Sequence, residues 1–166
     1  MPFLPLHPTS RSGFTMIELL VTIGIMILIF GGGISAYLRL DRRQSLVNVC
    51  KELEQMARSA QKKARVGDRP EGCDRLNAYR ISRTATGPDV ISLQAVCDSG
   101  TSTIQTYEVP TIFTVQTITT MNFRVLHGGL EEDVGEIEVT ASAPNYRCDF
   151  TVDNGGSISS TTISQY

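Results

Sequence analysis

Tryptophan is absent from this chain of 166 residues, and aromatic residues make up only 7% of it, so no aromatic stacking platform is evident. Histidine is scarce as well: His7 lies near the amino terminus, and His127 lies in a glycine-rich turn. Because no acid or base accompanies His127 in the sequence, we interpret it as a loop residue. The sequence predicts neither an enzyme nor a cofactor.

The chain has few charged residues, and its positive and negative charges nearly balance. Charged residues make up 19% of the chain and the formal net charge is −2, which gives no general case for binding nucleic acid. The acidic run Glu131-Glu132-Asp133, followed by Glu136 and Glu138, lacks the spacing of a calcium loop, and a solvated acidic loop is favoured. The four cysteines include no C-x-x-C pair, so no metal site is predicted.

The chain does contain one long apolar run, Phe14 to Leu38, in which Glu18 is the only charged residue. About 20 apolar residues cross a bilayer as a helix, so the run predicts a transmembrane helix over 14–38. A charge near the membrane interior costs about 3 kcal/mol, which indicates a function for Glu18. No small-residue cleavage site follows the run, and the predicted cut lies before it, at Gly13–Phe14.

The segment Gly13-Phe14-Thr15-Met16-Ile17-Glu18-Leu19-Leu20-Val21 resembles the leader-peptidase site of type IV pilins and type II secretion pseudopilins. The resemblance implies a cleaved leader over 1–13, with prepilin peptidase cutting after Gly13 and methylating the new amine of Phe14. It places Glu18 at the position of the family's glutamate.

The same resemblance implies the location and the partners of the chain. It implies a single-pass protein of the inner membrane with an extracytoplasmic C-terminal domain, which becomes part of a periplasmic or extracellular filament. The implied partners are other pilin or pseudopilin subunits, the prepilin peptidase, and an inner-membrane assembly platform with its ATPase.

Glu18 also has a role that follows from its charge. Cleavage creates a positive amine at Phe14, four residues before Glu18, and in a bundle of identical helices the carboxylate can pair with the amine of a neighbour. Two unit charges 4 Å apart attract by about 1 kcal/mol in water and more strongly at lower dielectric. A buried pair serves mainly as a register device, since any other stagger leaves a charge unpaired. We expect Glu18 to set the axial register during assembly.

Three consecutive glycines, Gly31, Gly32 and Gly33, interrupt the apolar run. Each costs about 1 kcal/mol relative to alanine inside a helix. One interpretation is a hinge that lets the helix extend within a filament, in place of the proline that many pilins carry there. The other is close packing between helices, which small residues permit. We favour the hinge.

The helix is predicted to continue over 39–66 as an amphipathic segment and to end at Gly67. Apolar residues recur at three- and four-residue steps and form one stripe, which predicts packing onto the C-terminal domain. The stripe consists of Leu46, Val49, Cys50, Leu53, Met56, Ala57, Ala60 and Ala64.

A β-rich domain is predicted over 67–166, because the hydrophobic period changes to two after Asn77. Turn signals separate seven or eight short, mostly antiparallel strands, which gives an α+β fold with a long helix packed on a β-sheet. The pattern also resembles minor pilins of the GspH/FimT type, which implies a helix packed on two sheets. That resemblance rests on Met121–Phe123, Gly128–Gly129, Gly135–Val139, Arg147–Val152 and Gly155–Ile158.

The four cysteines, Cys50, Cys73, Cys97 and Cys148, all follow the apolar run and allow three disulfide pairings. We favour Cys73–Cys97, which flank strand-like segments, and Cys50–Cys148, which would tie the helix to the sheet. Disulfides suit an extracytoplasmic domain.

The positive-inside rule predicts the opposite topology, with the C-terminal domain in the cytoplasm. Three arginines, Arg39, Arg42 and Arg43, follow the apolar run, and only Arg11 precedes it. The processing motif and the cysteines favour the extracytoplasmic placement.

The favoured function is a structural pilin or pseudopilin, as a minor subunit. A DNA-binding minor pilin is the alternative, but the tail from Val152 to Tyr166 has no lysine or arginine, so nucleic-acid binding is not favoured. An enzyme or sensor domain on a membrane anchor is the third possibility.

Overall fold

A computed structural model describes residues 13–84, 87–142, 145–159 and 161–165. Within these ranges it contains one helix, α1, and eight strands, in the predicted α+β layout of a long apolar helix followed by antiparallel β-structure. The elements are α1 Met16–Val66, β1 Leu76–Thr84, β2 Val90–Cys97, β3 Gly100–Glu108, β4 Phe113–Ile118, β5 Met121–Arg124, β6 Val134–Ser142, β7 Asn145–Asp153 and β8 Thr162–Gln165.

The chain divides into two compact units, Met1–Leu40 and Asp41–Tyr166. The division falls inside α1, so the second unit contains the last part of the helix and all the strands. Of the leader predicted over 1–13, all but Gly13 lies outside the described residues.

The second half of α1 buries one face. Side chains at three- and four-residue steps share a face of a helix, and all the members of the predicted apolar stripe are at most 3% exposed, which confirms that prediction. Burial of each large aliphatic member contributes about 2 kcal/mol. The buried residues are Leu46, Val49, Cys50, Leu53, Met56, Ala57, Ala60 and Ala64.

The helix ends at Val66 because Gly67 takes a left-handed conformation, with φ of +66°. The Gly67 N–H donates to the carbonyl of Ala64 (3.2 Å) and the Asp68 N–H to that of Lys63 (3.0 Å), the two bonds of a Schellman motif. The Lys63 ammonium also donates to the Asp68 carboxylate (2.6 Å), and this hydrogen bond raises the pKa of Lys63.

The strands form two four-stranded antiparallel sheets, in the order β3-β2-β1-β5 and β4-β6-β7-β8. Strand β3 departs from the burial that its alternating sequence suggests, since all of its residues but the half-buried Tyr107 are exposed. Its register with β2 shifts between Leu93 and Gln94, and β3 lies at the edge of its sheet.

Both sheets and α1 share one hydrophobic core. The first sheet contributes Tyr79, Ile81, Leu93 and Phe123, and the second contributes Ile137, Val139, Phe150 and Val152. Burial raises the pKa of Tyr79, whose hydroxyl donates to the Asp68 carbonyl (2.5 Å) just beyond the helix.

Two disulfides connect these elements, and the pairing is the one that the sequence analysis favours. Cys50 of α1 bonds to Cys148 of β7, with their Cα atoms 6.6 Å apart, and Cys73 bonds to Cys97 at the end of β2, with a Cα separation of 5.6 Å. The first bridge therefore holds the helix against the second sheet.

The tail before β8 is held to the helix by Glu54, whose side chain is 18% exposed. Its carboxylate accepts hydrogen bonds from the Thr161 hydroxyl (2.6 Å) and from the Arg58 guanidinium (2.7 Å). The bond from Thr161, followed by that from Arg58, lowers the pKa of Glu54.

We predict that the Cys50–Cys148 bridge stabilises the fold more than Cys73–Cys97 does. The bridges close loops of 98 and 24 residues in sequence separation, and loop entropy gives about 4.7 and about 3.4 kcal/mol respectively. Urea unfolding of Cys50→Ala/Cys148→Ala and Cys73→Ala/Cys97→Ala measures both losses. Equal losses, or a larger loss for the second pair, would contradict the prediction.

We also predict that Glu54→Gln lowers the unfolding free energy by about 1 kcal/mol at neutral pH, because it weakens charge-assisted hydrogen bonds at a partly exposed site. The pKa of Glu54 is lower in the folded state than in the unfolded state. The charged carboxylate therefore stabilises the fold at any pH above its unfolded-state pKa, and this stabilisation is lost as the pH falls through its folded-state pKa. The variant and the parent should therefore converge in acid.

The measurement is thermal unfolding across a pH series. Glu71→Gln is the matched control, because Glu71 is exposed and has no side-chain hydrogen bond within the described residues. If the difference in unfolding free energy between Glu54→Gln and the parent stays constant down to acidic pH, the charged carboxylate does not have this stabilising role.

Candidate functional site

Thr15 begins the apolar helix as its N-cap. Its hydroxyl oxygen accepts a hydrogen bond from the Glu18 N–H (3.3 Å), and its carbonyl accepts from the Leu19 N–H (3.2 Å). Thr15 thereby satisfies a helix-terminal donor that has no partner within the helix. The sequence analysis did not identify this role, although the spacing Thr15-x-x-Glu18 is the signature of a capping box.

Glu18 lies in the first turn of α1 and is exposed. An acidic side chain there is favoured by the positive end of the helix dipole. Within the described residues only its backbone N–H is engaged, by Thr15, and its carboxylate has no hydrogen-bond or ion-pair partner.

The predicted cleavage junction directly precedes this turn. Gly13, Phe14 and Thr15 lie outside helical structure, and the side chain of Phe14 is 79% exposed. Among the described residues, no atom lies within 4 Å of a Cβ placed on Gly13. A non-helical, exposed segment is the kind of site to which a peptidase can gain access.

The first half of α1 has apolar side chains around its whole circumference. Its large hydrophobic residues are between 46% and 86% exposed, including Ile17, Leu20, Ile27 and Phe30. By length and composition α1 is the one helix in the described part of the chain that can cross a membrane. A bilayer is one environment that would cover these apolar side chains, and the length of the helix suits a single span.

The glycine triplet lies within α1, whose backbone stays helical through residues 31–33. No atom of the described residues lies within 4 Å of a Cβ placed on Gly31. Neither interpretation of the triplet is tested within one chain, because close packing would need a second helix and a hinge acts in the filament. The hinge stays a prediction.

The polar candidates of the second unit lie in separate places. His127 is exposed, while Glu132 accepts hydrogen bonds from the Asn122 side chain (2.7 Å) and backbone N–H (3.2 Å). Glu138 pairs with Arg147 at 3.7 Å. In the described ranges, no three histidine, cysteine, aspartate or glutamate residues are grouped in a way that could hold a metal ion.

Comparisons with protein-family models, with curated proteins and with solved structures give no significant match to this chain.

We predict that Thr15→Val frays the start of α1 more than Glu18→Gln does, because the cap uses the Thr15 hydroxyl and the Glu18 backbone, whereas the Glu18 carboxylate acts there only through the helix dipole. Loss of the N-cap costs about 1 kcal/mol. Amide hydrogen exchange of the full chain in detergent micelles should be accelerated more at residues 17–19 in Thr15→Val than in Glu18→Gln. Equal acceleration in both variants would show that the Glu18 side chain itself supports the cap.

Proposed function

We propose that this chain is a structural pilin or pseudopilin, cut after Gly13 and methylated at Phe14 by a prepilin peptidase, which assembles into a type IV pilus or a type II secretion pseudopilus. The observation that carries the proposal is the junction Gly13–Phe14, followed by an N-capped apolar helix whose first turn carries Glu18, a carboxylate without a partner among the described residues. That combination suits a subunit that is processed at a membrane and then joined to others through its helix.

The exposed surface of the first half of α1 supports polymerisation. Once the subunit leaves the bilayer, its apolar side chains need another apolar environment, and helices of neighbouring subunits provide one. In such a bundle the carboxylate of Glu18 is costly unless it is paired. The new amine of Phe14 on a neighbour supplies the positive charge.

The second unit supports an extracytoplasmic location and a minor-subunit role. All four cysteines are paired, which suits the periplasm or the cell exterior, where disulfides persist. Two four-stranded antiparallel sheets that share a core with the helix match the arrangement implied by the resemblance to GspH/FimT-type minor pilins.

Mass spectrometry of the mature amino terminus tests the processing step. We expect the purified membrane or filament form to begin at N-methylated Phe14. Co-expression with an inactive prepilin peptidase is the control, and it should leave the leader attached. An intact Met1 in the presence of active peptidase, or a cut after Ala36, would contradict the proposal.

The register role of Glu18 predicts that Glu18→Gln abolishes or strongly reduces assembly, while Thr15→Val assembles with a smaller loss. Glutamine keeps the size of the side chain but removes the charge that pairs with the amine of Phe14. Quantification of sheared filaments by immunoblot compares the variants, and mass spectrometry verifies that both are cut and methylated. Normal assembly of processed Glu18→Gln would remove the register role.

A further inference from the structure

The turn that follows β7 contains the dipeptide Asn154-Gly155. The Gly156 N–H donates to the Asp153 carbonyl (2.8 Å), and Gly156 has a φ of +80°. A four-residue turn that ends on a glycine in the left-handed region is a common connection between antiparallel strands. Asn154 and Gly155 occupy the two central positions of this turn, and both are exposed.

Two groups in this turn can react with each other. Within the described residues, the Asn154 side-chain amide and the Gly155 N–H form no hydrogen bond. Other groups hold the turn: the Asp153 carboxylate accepts from the Ser157 N–H (2.7 Å), and the Asn154 carbonyl accepts from the Leu130 N–H (3.0 Å). Glycine has no side chain to shield its nitrogen. Neighbouring groups in one chain also react far more readily than the same groups on separate molecules.

We propose that Asn154-Gly155 is a site of spontaneous covalent modification, at which Asn154 is converted to aspartate and isoaspartate. In the first step the Gly155 nitrogen attacks the side-chain carbonyl carbon of Asn154 and forms a C–N bond. The bond from that carbon to the side-chain nitrogen breaks. The side-chain nitrogen leaves as ammonia, with the proton of the Gly155 N–H, and a five-membered succinimide ring remains.

Water completes the reaction by adding to one of the two carbonyl carbons of the ring and breaking its bond to nitrogen. Opening at the former side-chain carbonyl gives aspartate in an ordinary backbone. Opening at the main-chain carbonyl gives isoaspartate, in which the main chain passes through the former side chain. The net change consumes one water molecule, releases one ammonia molecule and needs no oxidant or reductant. Either product adds a negative charge to the turn.

The chain contains four other asparagines, and none of them precedes a glycine: Asn48, Asn77, Asn122 and Asn145. The side chain of the following residue shields the nitrogen that would attack. Two of these asparagines are also held by carboxylates, since the Asn77 side chain donates to Asp98 (2.7 Å) and the Asn122 side chain donates to Glu132 (2.7 Å). These four residues are therefore internal controls for the reaction at Asn154.

The turn is packed against the loop after β5 and against α1. A Cβ placed on Gly129 would clash with the Asn154 carbonyl, and the Gln61 side chain donates to the carbonyls of Gly128 (3.1 Å) and Gly156. Isoaspartate lengthens the main chain by one carbon within this close contact, whereas aspartate leaves the backbone unchanged. We therefore expect isoaspartate, and not aspartate, to weaken the packing of the two loops on the helix.

Peptide mapping by mass spectrometry tests the modification. The purified full-length chain is incubated in detergent micelles in mildly alkaline buffer and then digested at acidic pH, which stops the reaction. The peptide with Asn154 should gain the mass difference between an acid and an amide over time, and the peptides with the other four asparagines should not. An isoaspartyl methyltransferase with a labelled methyl donor then measures the isoaspartate. An unchanged Asn154 peptide, or equal conversion of all five asparagines, would overturn the proposal.

The variant Gly155→Ala tests the attacking nitrogen. Gly155 has no positive φ, and a Cβ placed there meets only the Asp153 carboxylate, at 3.4 Å, so the variant should fold as the parent does. The added methyl group should slow conversion of Asn154 by about tenfold, which corresponds to a barrier raised by about 1.4 kcal/mol. Conversion at the rate of the parent would exclude attack by this nitrogen.

Thermal unfolding tests the consequence for the fold. The incubated parent, enriched in isoaspartate, should melt at a lower temperature than fresh parent. Freshly purified Asn154→Asp and incubated Gly155→Ala should both melt close to the fresh parent, because their backbones in the turn are unchanged. A converted parent whose melting temperature does not fall would overturn the effect on packing and leave the modification site supported.

Discussion

Burial of one stripe of α1 is the interaction on which the rest of the C-terminal unit depends. Leu46, Leu53 and Met56 are at most 1% exposed, and the core that covers them takes residues from both sheets. The Cys50–Cys148 bridge and the Glu54–Thr161 hydrogen bond then fix the second sheet and the tail to a helix that is already part of the core.

The sequence predicts most of this arrangement, because the strongest signals in it are local. A helical stripe, an alternating strand and a glycine after a helix each depend on neighbouring residues, and the stripe and the end of α1 at Gly67 both agree with the structure. The division of the strands into two sheets depends on pairing between distant segments, such as β1 with β5, which local periodicity does not encode.

Two residues near the ends of α1, Thr15 and Leu126, show how far local sequence predicts the structure. Thr15 does carry a local signal for its capping role, namely the capping-box spacing to Glu18. Leu126, which follows β5 and has a φ of 68°, carries no such signal, because leucine gives no indication of a left-handed backbone, and long-range hydrogen bonds such as that from its N–H to the Ala64 carbonyl (2.8 Å) hold it there. Strained positions are where expectation from local sequence fails for a physical reason.

The proposed ion pair of Glu18 and the apolar packing of the helix differ in what they contribute to a filament. An apolar helix that packs in a bundle already holds neighbouring subunits together, so any further contact between them forms at a high effective concentration. A buried ion pair contributes little net stability, but it disfavours every register in which it is unpaired. In this scheme the apolar helix supplies most of the cohesion, and the charge of Glu18 selects one arrangement among subunits that are already tethered.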